Sequence, residues 1–356
     1  MVSVQNIKIS EFNLIKEIKN KNNTNFQKCL SILSDVKDIQ SLLPKKNKIT
    51  VSFELKDANA DIANGIRRCL MEEIPVKSFD FDEFNDLDSD DKFILCDLIK
   101  KQIELLPINQ DIEYRDFDIS LNKENHTTGI IDVTTNDIIV KDKKKNKITD
   151  IVGDNIVLCK LRPDKYIKIN NIKVYTGIAI KDHDAGKFSP ISNITYRILD
   201  VDPMVQTRNG KTGTSSMLTN PKHFYISYTT HRNTHYPLNI LLQCCDVLIE
   251  RLNLVLKDMR NINDKDTRYI SPLLLLETIG DLKKVQIKNE YWTLINMICR
   301  YCYILTKSNI KFISPALIHP EKEVGVINII HPEFSTLIQN SIKKIITDLE
   351  KIKESL

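Results

Sequence analysis

Ile49, Val51, Phe53 and Leu55 alternate with Thr50, Ser52, Glu54 and Lys56, a period of two that predicts a half-buried strand. The period lengthens from Asp57 with no loop between. Ala58, Ile62, Ile66, Leu70 and Ile74 then fall on one face of a helix, for which Asp57 reads as the N-cap and Pro75 as the stop. The opposite face carries Asp61, Asn64, Arg67, Arg68 and Glu72.

Residues before 48 read as an extension with a helix around Phe26–Leu43. FDFDEFNDLDSDDKF, 79–93, reads as a solvated acidic loop, and a helix is predicted over Asp90–Leu106, ended by Pro107. Residues 111–201 are β-rich, with alternating segments at Gly129–Val133, Asn155–Leu161 and Ile167–Tyr175. KDKKKNK, 141–147, is predicted as a hairpin tip and 208–221 as a loop. A strand at Phe224–Tyr228 precedes a long helix opened by Pro237, with Leu238, Leu241, Cys245, Leu248, Leu252 and Val255 on one stripe. A polar linker at 261–268 leads to strands at Leu273–Ile279 and Val285–Ile287, which turn at Gly280-Asp281. A helix over Glu290–Leu305 and strands near Ile310–Ile318 and Val324–Ile330 follow. From Pro332 a last helix carries Phe334, Ile338, Ile342, Ile345, Leu349 and Ile352 at spacings of four, four, three, four and three, a near-heptad seam that needs another helix.

Strand, short helix and closing long helix thus occur in 49–75 with 224–258 and again in 283–354. The simplest arrangement pairs the halves within one chain, Leu241, Cys245, Leu248 and Leu252 facing Ile338, Ile342, Ile345 and Leu349. Two unrelated α+β domains satisfy the periodicity equally well. The fold class expected is α+β. The divisions are an extension at 1–47, a first half at 48–80 with 222–260, a β-rich insertion at 81–221, a linker at 261–270 and a second half at 271–356.

The 356 residues leave room for two or three domains, and 42% hydrophobic with 28% charged residues is ordinary for a globular protein. A net charge of +4 is too small to argue for nucleic-acid binding. No run of 18 apolar residues occurs and MVSVQNIKIS is not a signal peptide, so neither a membrane span nor secretion is expected. Eight scattered cysteines read as reduced core thiols of an intracellular protein. Cys299-x-x-Cys302 lacks a second pair and lies within a predicted helix, so no zinc or other cofactor is expected. NGKTGTSS has Val205 where a phosphate-binding loop needs glycine. The seven histidines offer no nucleophile–base pair at readable spacing, which argues against a stand-alone enzyme. Arg67 and Arg68 have two readings. Pairs with Glu72 and Asp61 along the helix would each contribute about 0.2–0.5 kcal/mol. Planar, multi-donor contact with a partner protein, shared with Asn64, suits two adjacent arginines better.

FELKDANADIANGIRRCLMEEIP resembles the signature of the α-like subunits of multisubunit RNA polymerases, in which a strand runs into a helix reading A-N-x-x-R-R-x-L-x-x-E-x-P. Ala63, Asn64, Arg67, Arg68, Leu70, Glu73 and Pro75 fill those places. DSDDKFILCDLIKKQIELLPI is similar to the family's D-E-x-I-A-H-R-L-G-L-I-P segment. GIAIKDHDAGKFSPISNITYRI resembles its G-x-G-x-x-H-A-K-W-S-P stretch, with His183, Lys187, Phe188, Ser189 and Pro190 in register. The C-terminal part is similar to the smaller α-like partner, the eleventh subunit of the eukaryotic enzyme, through EYWTLIN at 290–296 and ALIHPEKE at 316–323. There Trp292 stands at the usual His and Ile295 at the usual Gly. One chain joining both halves resembles the fused subunits of large DNA viruses of eukaryotes.

The resemblance implies a non-catalytic assembly platform for the largest and second-largest subunits, touching DNA only through the complex and no membrane. A tenth-subunit-like small partner is also implied. Asn64, Arg67, Arg68, His183 and Lys187 would contact a large subunit. Some relatives hold a cysteine zinc cluster in the inserted domain; with no cysteine between Cys96 and Cys159, that feature is absent here. The implied location is the host cytoplasm, virus factory and virion for a viral protein, and the nucleus for a cellular one. A basic nucleic-acid-binding module, using KDKKKNK and the basic strand near Lys165–Lys173, is the alternative, but no aromatic stacking platform accompanies it.

Overall fold

The computed structural model describes residues 2–11, 48–115, 117–141, 147–148, 151–152, 155–181, 185–200, 221–231, 237–306, 309–319 and 321–356. The helix expected at Phe26–Leu43, the stretch 208–220, most of the 141–147 tip, and His183 lie outside the described residues. The chain opens with β1 (Ser3–Glu11), β2 (Lys48–Lys56), α1 (Ala60–Glu72) and β3 (Val76–Asp80). Its middle holds β4 (Leu87–Ser89), α2 (Cys96–Glu104), β5 (Asp118–Glu124), β6 (Ile131–Thr134), β7 (Ile138–Lys141), β8 (Lys147–Ile148), β9 (Val157–Leu161), β10 (Tyr166–Ile169) and β11 (Lys173–Gly177). β12 (Asn193–Ile198), β13 (His223–His231) and α3 (Pro237–Met259) follow. The remainder is β14 (Arg268–Ile270), β15 (Leu274–Ile279), β16 (Leu282–Lys288), α4 (Thr293–Leu305), β17 (Phe312–Leu317), β18 (Val324–Ile330) and α5 (Phe334–Glu354). The molecule is mixed α and β, with five helices and antiparallel sheets among the described residues.

The abrupt change of period near Asp57 has a local cause. Asp57 adopts a left-handed backbone, φ 55°, which Asp tolerates better than bulky residues do, and this one residue turns strand into helix. It is therefore not the N-cap. Asn59 is, its side-chain oxygen accepting from the Ile62 amide at 2.9 Å. α2 starts at Cys96 rather than Asp90 because the preceding aspartates are committed elsewhere. Asp91 is buried and accepts from the Phe93 amide and from Arg162. The acidic run stays largely solvent-facing, as expected, but is not a plain loop: it contains β4, Asp86 receives the Asn171 side chain and Asp90 the Tyr166 amide. The single strand expected over Ile167–Tyr175 divides into β10 and β11 around Asn171, at φ 51°.

Two sheets repeat one topology. The first runs β1–β2–β13–β12 and the second β15–β16–β18–β17, with β14 added outside β15; every pairing is antiparallel. β1 comes from residues read as an extension, and β12 from residues assigned to the insertion, yet both pair in the first sheet. β3 conversely leaves that sheet to pair with β11. One hydrophobic cluster joins the inner faces of both sheets to α1, α3, α4 and α5, while a second, from Phe79 to Ile172, serves the middle segment. α3 packs along α5, α1 against α4, and α4 against α5. α3 also reaches β15 of the second sheet, and α5 reaches β1 of the first. Each Leu or Ile fully buried in this way contributes about 1.5–3 kcal/mol. Among the described residues no helix is long and apolar enough to cross a membrane.

Candidate docking site

The inner stripe of α1, from Ile62 and Ala63 through Ile66 to Cys69 and Leu70, is buried, so only its polar face is open to a partner. On that face the Asn64 side-chain oxygen accepts from Arg67 Nε at 3.0 Å, and Arg67 Nη1 lies 3.2 Å from Met71 Sδ. Arg68 pairs with Glu72 at 3.2 Å, yet its Nε is buried with no hydrogen-bond partner. Asp61 faces Arg300 of α4 at 3.9 Å instead of an α1 arginine; burial raises its pKa, against the pull of Arg300.

The segment after β11 crosses the C-terminal end of α1. The Ile180 amide donates to Glu72 O at 2.9 Å, and Ser189 Oγ lies 3.1 Å from Met71 O and 2.8 Å from Ile191 O. Phe188 is buried with Val76 and Ala179. A Cβ on Gly177 would fall 2.5 Å from the Phe188 ring, so the loop closes only because that residue is glycine. Lys187, 10% exposed, holds Glu104 at 3.5 Å and Asp80 at 3.9 Å. Its ammonium pins the loop to α2 and β3 and is engaged inside the chain. The three motif segments, 118 residues apart at the Met71–Ser189 contact, therefore meet in one place.

Behind this face lies an arrangement that sequence reading missed. Arg251 of α3 forms ion pairs with Glu73, which caps the C-terminus of α1, and with Glu290, which precedes α4. Glu73 also accepts from Thr293 Oγ1 at 3.2 Å, and Glu290 from the Leu294 amide at 3.1 Å. Burial raises the pKa of both carboxylates, and the Arg251 charge opposes it. Glu73 and Glu290 stand in the two motif segments, but nothing in the sequence joins them to Arg251, whose partners lie 178 and 39 residues away.

Leu241, Cys245, Leu248 and Leu252 of α3 and Ile338, Ile342, Ile345 and Leu349 of α5 all lie in the large buried cluster, and the two helices are in contact. Cys299 and Cys302 are buried in α4 as free thiols; burial pushes the Cys302 thiol up to about 12. Among the described residues no group of three or more His, Cys, Asp or Glu side chains is arranged to hold a metal ion. In the basic strand considered for nucleic acid, Lys165 pairs with Asp90 at 3.1 Å and Lys168 with Glu124 at 4.0 Å, and the neighbouring Arg162 pairs with Asp91 at 2.9 Å. The sequence matches no protein-family model and no curated protein.

Proposed function

We propose that this chain is a non-catalytic α-like subunit of a DNA-directed RNA polymerase, a fused pair of halves that serves as the assembly platform for the two large subunits. The observation that carries the reading is the convergence of α1, the end of α2 and the 177–190 loop, the three segments whose residues resemble the family, into one surface. The repeated strand order, together with the reciprocal reach of α3 to β15 and α5 to β1, supports two pseudo-symmetric halves. The separate cluster from Phe79 to Ile172 supports a β-rich domain inserted into the first.

In this reading Asn64, Arg67 and Arg68 contact the second-largest subunit, and Lys187 positions the loop beside them. Arginine makes bidentate bonds to carboxylates that lysine cannot reproduce. Smaller subunits and the largest subunit bind the same platform, and DNA is met only through the assembled enzyme. The test is Arg67→Ala with Arg68→Ala. The doubly substituted chain stays folded by thermal melt, because neither residue belongs to the buried apolar stripe of α1, but no longer co-purifies with the large subunits. Truncating a buried arginine anchor costs about 2–4 kcal/mol, against less than about 0.5 for a solvated rim charge. Assembly at wild-type yield would exclude this face as the docking site.

A further inference from the structure

A cleft of about 380 Å³ opens where α1, the 178–181 segment, α3 and the β16–α4 connection meet. Its walls are apolar, with Ile178, Ile180, Leu254, Val255, Ile287 and Leu294 among them. Its floor is the Glu73–Arg251–Glu290 arrangement, where two carboxylates, 4% and 2% exposed, share one guanidinium. We infer that this cleft receives a lysine or arginine side chain from a partner polypeptide, the methylene stem lying on the apolar walls and the cationic head completing the floor. The inference does not rest on the polymerase reading, since it concerns the isolated chain.

The floor is one cation short. Glu73 Oε2 and Glu290 Oε2 both turn to Arg251, while each Oε1 has a single neutral donor, Thr293 Oγ1 or the Leu294 amide. A carboxylate oxygen accepts about two hydrogen bonds, so acceptor capacity remains on groups that line the cleft. Burying one more carboxylate than cation is costly unless the excess is neutralised by a proton or a counter-charge. Elsewhere in the lining Glu250 and Glu323 balance Lys181 and Lys288 in number, and Arg68 and Glu72, which also act on Glu73, pair with each other, so the imbalance belongs to the floor. A hydrated divalent ion would lose its water against apolar walls, whereas a long basic side chain matches both surfaces. Burial raises the pKa of both floor carboxylates, so a proton and an entering cation compete for the same oxygens and binding tightens as pH rises.

The experiment is calorimetry on the full chain with N-acetylarginine methylamide and its lysine counterpart. The citrulline analogue serves as the uncharged isostere. Saturable uptake of the two cations, tighter at higher pH, and none of citrulline, is expected. Leu254 is 53% exposed, so Leu254→Lys sets a permanent cation on the wall without disturbing the floor. It should weaken the arginine probe about tenfold or more through like-charge repulsion. Equal uptake of citrulline, no saturable heat for any probe, or an unchanged affinity in Leu254→Lys would overturn the proposal. Spermidine binding more tightly than the arginine probe would overturn the polypeptide as its source.

Discussion

A Cβ placed on Gly325 would sit 2.8 Å from Ile295 Cγ2 and 2.9 Å from the Tyr291 carbonyl oxygen. The main chain at the entry of α4 cannot give way as a flexible side chain can. Gly325→Ala should therefore destabilise the protein by about 1–3 kcal/mol. Gly129→Ala, where nothing lies within 4 Å, should leave the denaturant midpoint nearly unchanged. The Glu73–Arg251–Glu290 arrangement makes a second prediction at this scale. Both carboxylates have pKa values raised above the usual 4.5 by burial, so the folded chain binds their protons more tightly than the unfolded chain does. Their contribution is fully present below that value and is lost as pH rises through the folded-state pKa. The denaturant midpoint of the wild type, minus that of Glu73→Gln, should thus fall as pH rises from about 4.5 toward neutrality. A flat difference would show that Glu73 titrates alike folded and unfolded. Removing the cation is harsher: Arg251→Met leaves two buried carboxylates uncompensated and should cost about 3–5 kcal/mol. None of these three residues announces its partners in the sequence, because their contacts join three helices brought together only by tertiary packing.

Elements were legible in proportion to the purity of their period. α1, α3 and α5 keep an unbroken apolar stripe, and each lies within a few residues of its expected span. β1 does not show as a strand in the sequence, for a physical reason. Val2 and Val4 point inward, but a bulge between Gln5 and Lys8, with Asn6 at φ 53°, shifts the phase so that Ile7 and Ile9 break the alternation. The N-terminal signal for α5 was also hidden. Asp264, in the stretch that reads as a plain linker, accepts from the Ser335 amide at 2.7 Å and Thr336 Oγ1 at 3.2 Å, from 71 and 72 residues away. Asp264→Ala should cost about 1 kcal/mol, measured by thermal melt. Deleting residues 2–11 should cost more. It exposes what Val2 and Val4 cover, about 3–5 kcal/mol by apolar burial, and bares one edge of β2. Unpaired edges recruit other chains, so the truncated protein should move to larger species in size-exclusion chromatography.

At the scale of the whole molecule, the two repeated sheets and four of the five helices among the described residues share one core, and α3 lies along α5 within it. Cysteine pairs introduced across that seam, on a background with the native buried thiols replaced, should crosslink within single chains; only intermolecular products would contradict the packing. The two stripes of the α3–α5 seam are readable in the sequence, each needing an apolar partner, although periodicity alone leaves their pairing and two unrelated domains equally open. The reach of α3 to β15 and of α5 to β1 was not, since it depends on how the sheets are placed. The short run from Met259 to Arg268, which joins α3 to the second sheet, has a consequence for how the protein responds to dilution. Separate subunits meeting through such helices would come apart as their concentration fell. A short covalent tether replaces that concentration with an effective one of millimolar order. The melting temperature should accordingly stay constant over about a hundredfold dilution, where a two-chain version would melt progressively earlier. Stoichiometry is then fixed at translation, and each chain arrives with its two sheets matched one to one.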